Sequence, residues 1–451
     1  MKKLHIQLIE YCAILIIVYS FSSALPAGDV MDRYGELKTE TFGTPTGTDT
    51  PVLDRSSELS DHLSYAALNN PQLEAAFNRW KAALEKIPQV RSLPDPRFSY
   101  AYYIENVETK VGPQRHKIDL SQTFPWFGKI ELLGEIALHD ANVRRQNYET
   151  LKQILFYKVK NAYYEYYHLS RTLAITDENM KLMSYFENIA RTKYSAGAAT
   201  YADVIKAQVE LGKLEERIMS LTDLREPLSA QLSAALGMPP GEILPLPAEL
   251  PKEDITLSDD EIISRARKHN PELIAQKHKI SGSSTSIDLA RKQFYPDITF
   301  GISYIGTGDA DMPGTAESGK DPFISMVTVN LPVWRNRYRA AVREAELRHT
   351  ASVKDRDNST NSLIAEVKTV LYNFRDSGRK VTLYRDTLIP KAKQSLNVTQ
   401  RAFETGRKDF LDLIDAQRTL LELELAYERA QTDRIRHQAS IGMLTGGNYT
   451  E

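Results

Sequence analysis

One order of landmarks occurs twice along this chain, at a spacing of about 200 residues, and a fixed-period duplication constrains a fold more than any local signal. Asn70-Pro71-Gln72-Leu73 returns as Asn270-Pro271-Glu272-Leu273, and Phe124-Pro125-Trp126-Phe127 returns as Leu331-Pro332-Val333-Trp334. Tyr194-Ser195-Ala196-Gly197 returns as Phe403-Glu404-Thr405-Gly406, and Asp203-Val204-Ile205-Lys206-Ala207-Gln208 as Asp412-Leu413-Ile414-Asp415-Ala416-Gln417. The chain must therefore fold as two copies of one unit, residues 58–236 and 259–445, joined by a Pro-rich linker over 237–258.

Within each copy the hydrophobic period changes in a fixed order. A helical segment comes first, about Glu58–Ser92 and about Asp259–Gln293. Two strand-like runs follow, forming hairpins over about 97–124 and about 297–331. Phe98, Tyr100, Tyr102 and Ile104 alternate with polar or small neighbours, as do Ile118, Leu120 and Phe124. The second copy gives Ile298, Phe300, Ile302 and Tyr304, then Phe323, Val327, Val329 and Leu331. Each run has about nine residues, the length of a tilted membrane strand. Long helices then cover about Lys129–Tyr194 and about Arg337–Phe403, each roughly 100 Å at 1.5 Å per residue. Gly197 and Gly406 suit helix C-caps, after which the chain returns over about Tyr201–Leu236 and about Asp409–Met443.

Lys2 and Lys3, the apolar run Tyr11–Phe21 and the small residues up to Ala27 have the order of a secretory signal peptide over 1–27, with cleavage expected after Ala24 or Ala27. Residues 28–57, rich in Gly, Pro, Thr and Asp, form an extended leader. Removing residues 1–27 takes away Cys12, the one cysteine, so neither disulfides nor a Cys-ligated metal site is expected. The formal net charge of −2 gives no basic excess for nucleic acid. After the signal peptide no segment has the roughly 20 apolar residues of a transmembrane helix.

Four short strands cannot close a barrel, and an open sheet edge in a bilayer leaves backbone groups without partners. Membrane insertion thus demands an oligomer. Prolines 94, 96, 125, 296 and 332 mark the helix–strand changeovers. Trp126, Phe127, Tyr295 and Trp334 lie at the same places and form an expected aromatic girdle at one membrane interface.

These features together resemble the TolC family of outer membrane efflux proteins over about residues 58–444: the duplicated order, the NP-x-L segment, and the tip pattern aromatic-x-x-Gly followed by Asp-[Val/Leu]-Ile-x-Ala-Gln. The resemblance implies a mainly α protein with a membrane β-barrel, each copy a helix, a β-hairpin and a long helical hairpin. It further implies a homotrimer with a 12-stranded barrel on a long periplasmic α-barrel, held in outer membrane lipid. The implied partners are a periplasmic adaptor protein and an inner-membrane pump. Lipid attachment is not expected, because Cys12 lies inside the apolar run.

By the same resemblance Phe403, Lys408, Asp412 and Asp415 form the periplasmic pore gate, and Tyr194, Gly197, Gly406 and Arg407 lie at the tips that dock the adaptor. Asp412 and Asp415, three apart, share a helix face; threefold symmetry would stack them into two carboxylate rings that favour cations. The first copy has Lys206 in place of Asp415, and Phe403 lacks the aromatic hydroxyl found in some members.

No phosphate loop, nucleophile elbow or zincin motif occurs, so neither a catalytic site nor a cofactor is expected. Asp309 and Asp311 in a Gly-rich loop fit solvated carboxylates better than a metal site, and Tyr163, Tyr164, Tyr166 and Tyr167 fit a helix-packing belt. The expected function is a passive outer membrane exit duct of a tripartite efflux pump, exporting small molecules or metal ions. The alternatives are the duct of a type I protein secretion system and a soluble periplasmic coiled-coil scaffold.

Overall fold

The computed structural model describes residues 53–54, 57–239, 241, 243–247, 250 and 257–447. The signal peptide, Cys12 and nearly all of the leader lie outside the described residues. The first copy contains α1 (Leu59–Asn69), α2 (Pro71–Leu84), α3 (Lys86–Arg91), β1 (Arg97–Val107), β2 (Gln114–Phe124), α4 (Lys129–Ser195), α5 (Tyr201–Asp223) and α6 (Arg225–Leu236). The second contains α7 (Asp259–His269), α8 (Pro271–Lys292), β3 (Ile298–Thr307), β4 (Phe323–Val329), α9 (Arg335–Leu383), α10 (Ile389–Glu404) and α11 (Phe410–Leu444).

Several expected helices are interrupted, each for a local reason. The opening helix of each copy breaks at an asparagine. Asn70 Oδ1 accepts from the backbone N–H of Gln72 at 3.0 Å and of Leu73 at 3.2 Å, capping α2 behind Pro71. Asn270 caps α8 in the same way, through Glu272 at 3.0 Å and Leu273 at 3.2 Å. Each amide nitrogen also donates to the end of the returning helix: Asn70 to the Ala235 carbonyl at 3.3 Å, Asn270 to the Leu444 carbonyl at 3.0 Å. The first return helix is divided at Leu224, just before Pro227, which has no N–H to continue the ladder. Between α9 and α10 lies one π-helical turn, Tyr384–Leu388, where the Ile389 N–H reaches back to the Tyr384 carbonyl. The widened turn makes room for the ring of Pro390.

The strands form one sheet in the order β1-β2-β3-β4, all pairs antiparallel. The register puts Tyr100, Ile118, Tyr304 and Phe323 side by side, and likewise Phe98, Leu120 and Ile302. Their face is mostly apolar. The other carries Ser99, Lys117, Asp119, Ser121, Thr123, Thr299, Ser303 and Thr328, with a Lys117–Asp119 ion pair at 2.9 Å and a Thr123–Thr299 hydroxyl contact at 2.9 Å. Leu331 lies beyond β4, which ends at Val329. β1 and β4 are edge strands within the single chain.

The chain divides into two compact units. One holds the sheet and its flanking helix ends, Arg79–Arg145 and Ala275–Arg356; the other comprises the described residues within 53–78, 146–274 and 357–447. The helical unit has three apolar clusters. Phe186, Met183, Phe410, Leu413 and Ile414 centre the first, Tyr163, Tyr164, Tyr166, Leu232 and Leu236 the second, and Ile262, Val367, Leu371 and Ile441 the third. The tyrosines thus pack as a belt, and each fully buried large side chain contributes roughly 1.5–3 kcal/mol. The Pro-rich linker is pinned midway: Tyr166 Oη donates to the Leu244 carbonyl at 2.6 Å, and the Leu244 N–H donates to Ser229 Oγ at 2.8 Å.

Candidate functional site

In the sheet unit all four helix–strand junctions fall at one end of the sheet, since Phe124, Ile298 and Val329 are in register and β1 starts beside them. Trp126 stacks on Tyr295 with centroids 5.3 Å apart and meets Phe127 edge-on at 5.8 Å. Phe127 and Trp334 are largely exposed, and Trp334 is not among the rings in contact with the other three. Asp297 ties this end together. Its carboxylate accepts from the Trp126 N–H at 2.9 Å and from Lys129 Nζ at 2.7 Å, and its own N–H donates to Asn330 Oδ1. At the opposite end Tyr100, His116 and Tyr304 form a second aromatic row, with centroids 6.2 and 6.1 Å apart. Neither Asp297 nor this second row was expected from the sequence, although the alternation of Tyr100, Tyr102 and Tyr304 carried the signal for the row.

The loops at that opposite end pack on each other. The Gly308 N–H donates to the Pro113 carbonyl at 2.7 Å and the Gly319 N–H to the Val111 carbonyl at 2.8 Å. A side chain at Gly112 (φ 129°) would run into the Gly308 carbonyl. Asp309 lies against Gly319, and no metal-binding group of three or more His, Cys, Asp or Glu residues occurs among the described residues.

In the helical unit both tips are glycine-terminated turns of one type. Gly197 has φ 72° and Gly406 φ 76°. The Ala198 N–H reaches the Lys193 carbonyl at 2.8 Å, and the Arg407 N–H the Ala402 carbonyl at 2.8 Å, the six-to-one bond of a Schellman cap. The next helix starts differently in each copy. Thr200 and Asp203 form a reciprocal capping box at α5, whereas Asp409 makes no side-chain cap bond at α11. Tyr194 packs on Tyr201 at 5.4 Å. Tyr194, Gly197, Gly406 and Arg407 are all exposed.

The residues expected at the gate separate into two environments. Phe403 is buried at 4% exposure in the core beneath its tip, against Phe410 at 5.3 Å, and does not share the open face of Asp412 and Asp415. Burial follows from its ring having no polar group to keep in water. Lys193 links the two tips: its ammonium donates to the Phe403 carbonyl at 2.5 Å and lies 4.8 Å from the ring centroid. Asp412 pairs with Lys408 at 3.1 Å, and Asp415 faces Arg418 at 3.6 Å. In the first copy Asp203 faces Lys206 at 3.6 Å. Arg418 also grips Glu210 of α5, which Lys213 contacts at 2.8 Å; these cations hold the Glu210 carboxyl below its usual range. Sequence reasoning missed Arg418 and Glu210, whose contact spans the duplication.

Comparison with known proteins matches residues 62–238 and 262–447 to the outer membrane efflux protein family. Outer membrane protein OprJ of Pseudomonas aeruginosa is 26% identical over 334 residues, covering 72% of this chain and 68% of OprJ. Nodulation protein T of Rhizobium leguminosarum is 22% identical over 404 residues, 87% of this chain and 86% of that protein. The crystal structure of the outer membrane protein VceC from Vibrio cholerae superposes with a TM-score of 0.71 at 16% identity, covering 87% of this chain and 97% of VceC. The last likeness is one of fold. With both copies of the duplicated unit matched, the chain belongs to the outer membrane efflux protein family and is an exit duct for efflux in the outer membrane.

Proposed function

We propose that three copies of this chain share one 12-stranded barrel and that the duct is passive, working with a periplasmic adaptor and an inner-membrane pump. One observation carries the proposal: a four-stranded sheet with an apolar face and two edge strands, β1 and β4. In lipid those edges need partners, and β4 of one copy meeting β1 of the next supplies them while closing the ring. The likeness to SrpC of Pseudomonas putida, a solvent efflux pump outer membrane protein, supports small-molecule export.

In this assembly Asp412 and Asp415 line the narrow end, with Lys408 and Arg418 tempering their charge, and Phe403 supports the tip from within. The exposed glycine turns at 194–200 and 403–409 offer backbone groups to the adaptor. The duct is tested by dye export from cells with and without the protein. For the gate, Asp412→Asn with Asp415→Asn should reduce cation preference and multivalent-cation block in planar bilayers, and Asp203→Asn should change them less. Unchanged selectivity and block in the double variant would take the two carboxylates out of the constriction.

A further inference from the structure

The two copies treat the end of their hairpins differently. In the first, Trp126 is stacked on Tyr295, and the Lys129 side chain, 12% exposed, is held by Asp297 at 2.7 Å. In the second, Leu331 is 72%, Val333 63% and Trp334 77% exposed. Directly behind them α9 opens with Arg335, Arg337 and Arg339, with Arg343 one turn on. Arg337 lies over the Tyr338 ring at 6.0 Å. The neighbouring ion pairs use other arginines, Arg291 with Asp288 and Glu346, and Arg348 with Glu344. Among the described residues none of Arg335, Arg337, Arg339 and Arg343 has an acidic partner.

This arrangement runs against local electrostatics. The start of a helix favours acidic side chains, yet the first turn of α9 has none and carries arginines instead. A local rule broken without compensation inside the chain points to a compensating group outside it. Two features say what that group is. The exposed apolar strip Leu331–Trp334 continues the apolar sheet face through Val327 and Val329, which are 62% and 42% exposed. Arg335 and Arg339, four apart, share one side of α9 immediately beyond that strip. Apolar and aromatic surface bordered by guanidinium groups matches a lipid with buried chains and an anionic headgroup, and arginine forks suit phosphate oxygens.

We propose that Trp334, Arg335 and Arg339 form a binding surface for anionic phospholipid at the junction end of the barrel. The inference rests on the duct reading, and its test reports on the two separately. Purified protein in detergent is offered equal amounts of phosphatidylglycerol and phosphatidylcholine, and native mass spectrometry reads first the number of chains and then the lipids retained. Preferential retention of phosphatidylglycerol on the wild-type particle is expected. Arg335→Gln with Arg339→Gln should cut that preference by about fivefold per arginine at unchanged chain number, whereas Arg335→Lys with Arg339→Lys should keep most of it. Inorganic phosphate, which has no chains to lie against Trp334, should not displace the lipid. Equal retention of the two lipids by wild type, an undiminished preference in the Gln variant, or full displacement by phosphate would each overturn the proposal. Should the Gln variant lose its assembly, Arg335→Gln alone decides: a preference cut by about fivefold is expected, and an unchanged one overturns the proposal. An altered ion selectivity with an intact lipid preference would place the arginines in the lumen instead.

Discussion

The guanidinium of Arg418 in α11 donates to both carboxylate oxygens of Glu210 in α5, joining the return helices of the two copies. Glu210 is nearly buried while Arg418 is half exposed, at side-chain exposures of 11% and 45%. The two partners are therefore not equivalent. Arg418→Ala leaves a desolvated carboxylate with Lys213 alone and should cost about 1–3 kcal/mol. Glu210→Ala releases a cation into water and should cost less than about 1 kcal/mol. Thermal unfolding of both variants checks the order; a larger loss from Glu210→Ala would contradict the burial asymmetry.

Asn70 and Asn270 make the same three bonds in their respective copies, so their substitutions should have matched effects. Asn→Ala at either position removes a cap and a tie to the returning helix, and about 1–2 kcal/mol of stability is expected to go with them. Asn→Asp keeps the cap acceptor and loses the donor, and should fall between. Denaturant unfolding of the four single variants measures this. A strong effect at one asparagine and none at the other would mean that the duplication is not carried by these bonds.

The sheet register fixes which strand residues tolerate charge. Tyr100→Arg or Ile302→Arg places a cation in the middle of the apolar face, at an expected cost of about 2–4 kcal/mol near the bilayer midplane. Ser99→Arg and Thr328→Arg lie on the polar face and should cost much less. Heat stability of the membrane-inserted particle distinguishes them, and equal damage from the two pairs would reverse the face assignment.

Acid should loosen the helices. Burial, reinforced by Arg429, pushes the His168 imidazole below its usual value; burial lowers His278 with help from His139 and Arg145, and lowers His437 with help from Arg436. A histidine depressed in the folded state binds fewer protons there than in the unfolded chain. Its stabilisation is therefore complete above the unfolded value, about 6.5, and is lost as pH falls below it. Melting temperature should drop between about pH 7.5 and about pH 5, with a shallower slope in His278→Gln. A flat profile across that window would contradict the burial of these rings.

Much of this was legible before any coordinates, because duplication and alternation are periodic signals. The strands, the glycine turns and the long helices stand where period 2, positive-φ glycine and period 3.6 put them. What escaped was set by contacts between distant residues. Asp297 before a strand looks like any turn residue until Lys129 and the Trp126 amide close on it. Phe403 belongs to a gate motif in sequence, yet its ring goes to the core against Phe410, and Lys193 meets both its carbonyl and its ring. Helix breaks at Asn70, Asn270 and Leu224 were hidden because the apolar stripe continues through them, and the π turn before Pro390 answers a clash that only the coiled chain creates.

The most direct test is the number of chains in the native particle. Four strands with two edges close in lipid when three copies are joined, so native mass spectrometry of the detergent-purified protein should give three chains per particle, stable to dilution. A stable single chain inserted in membranes, or a particle with any other number of chains, would contradict the shared barrel.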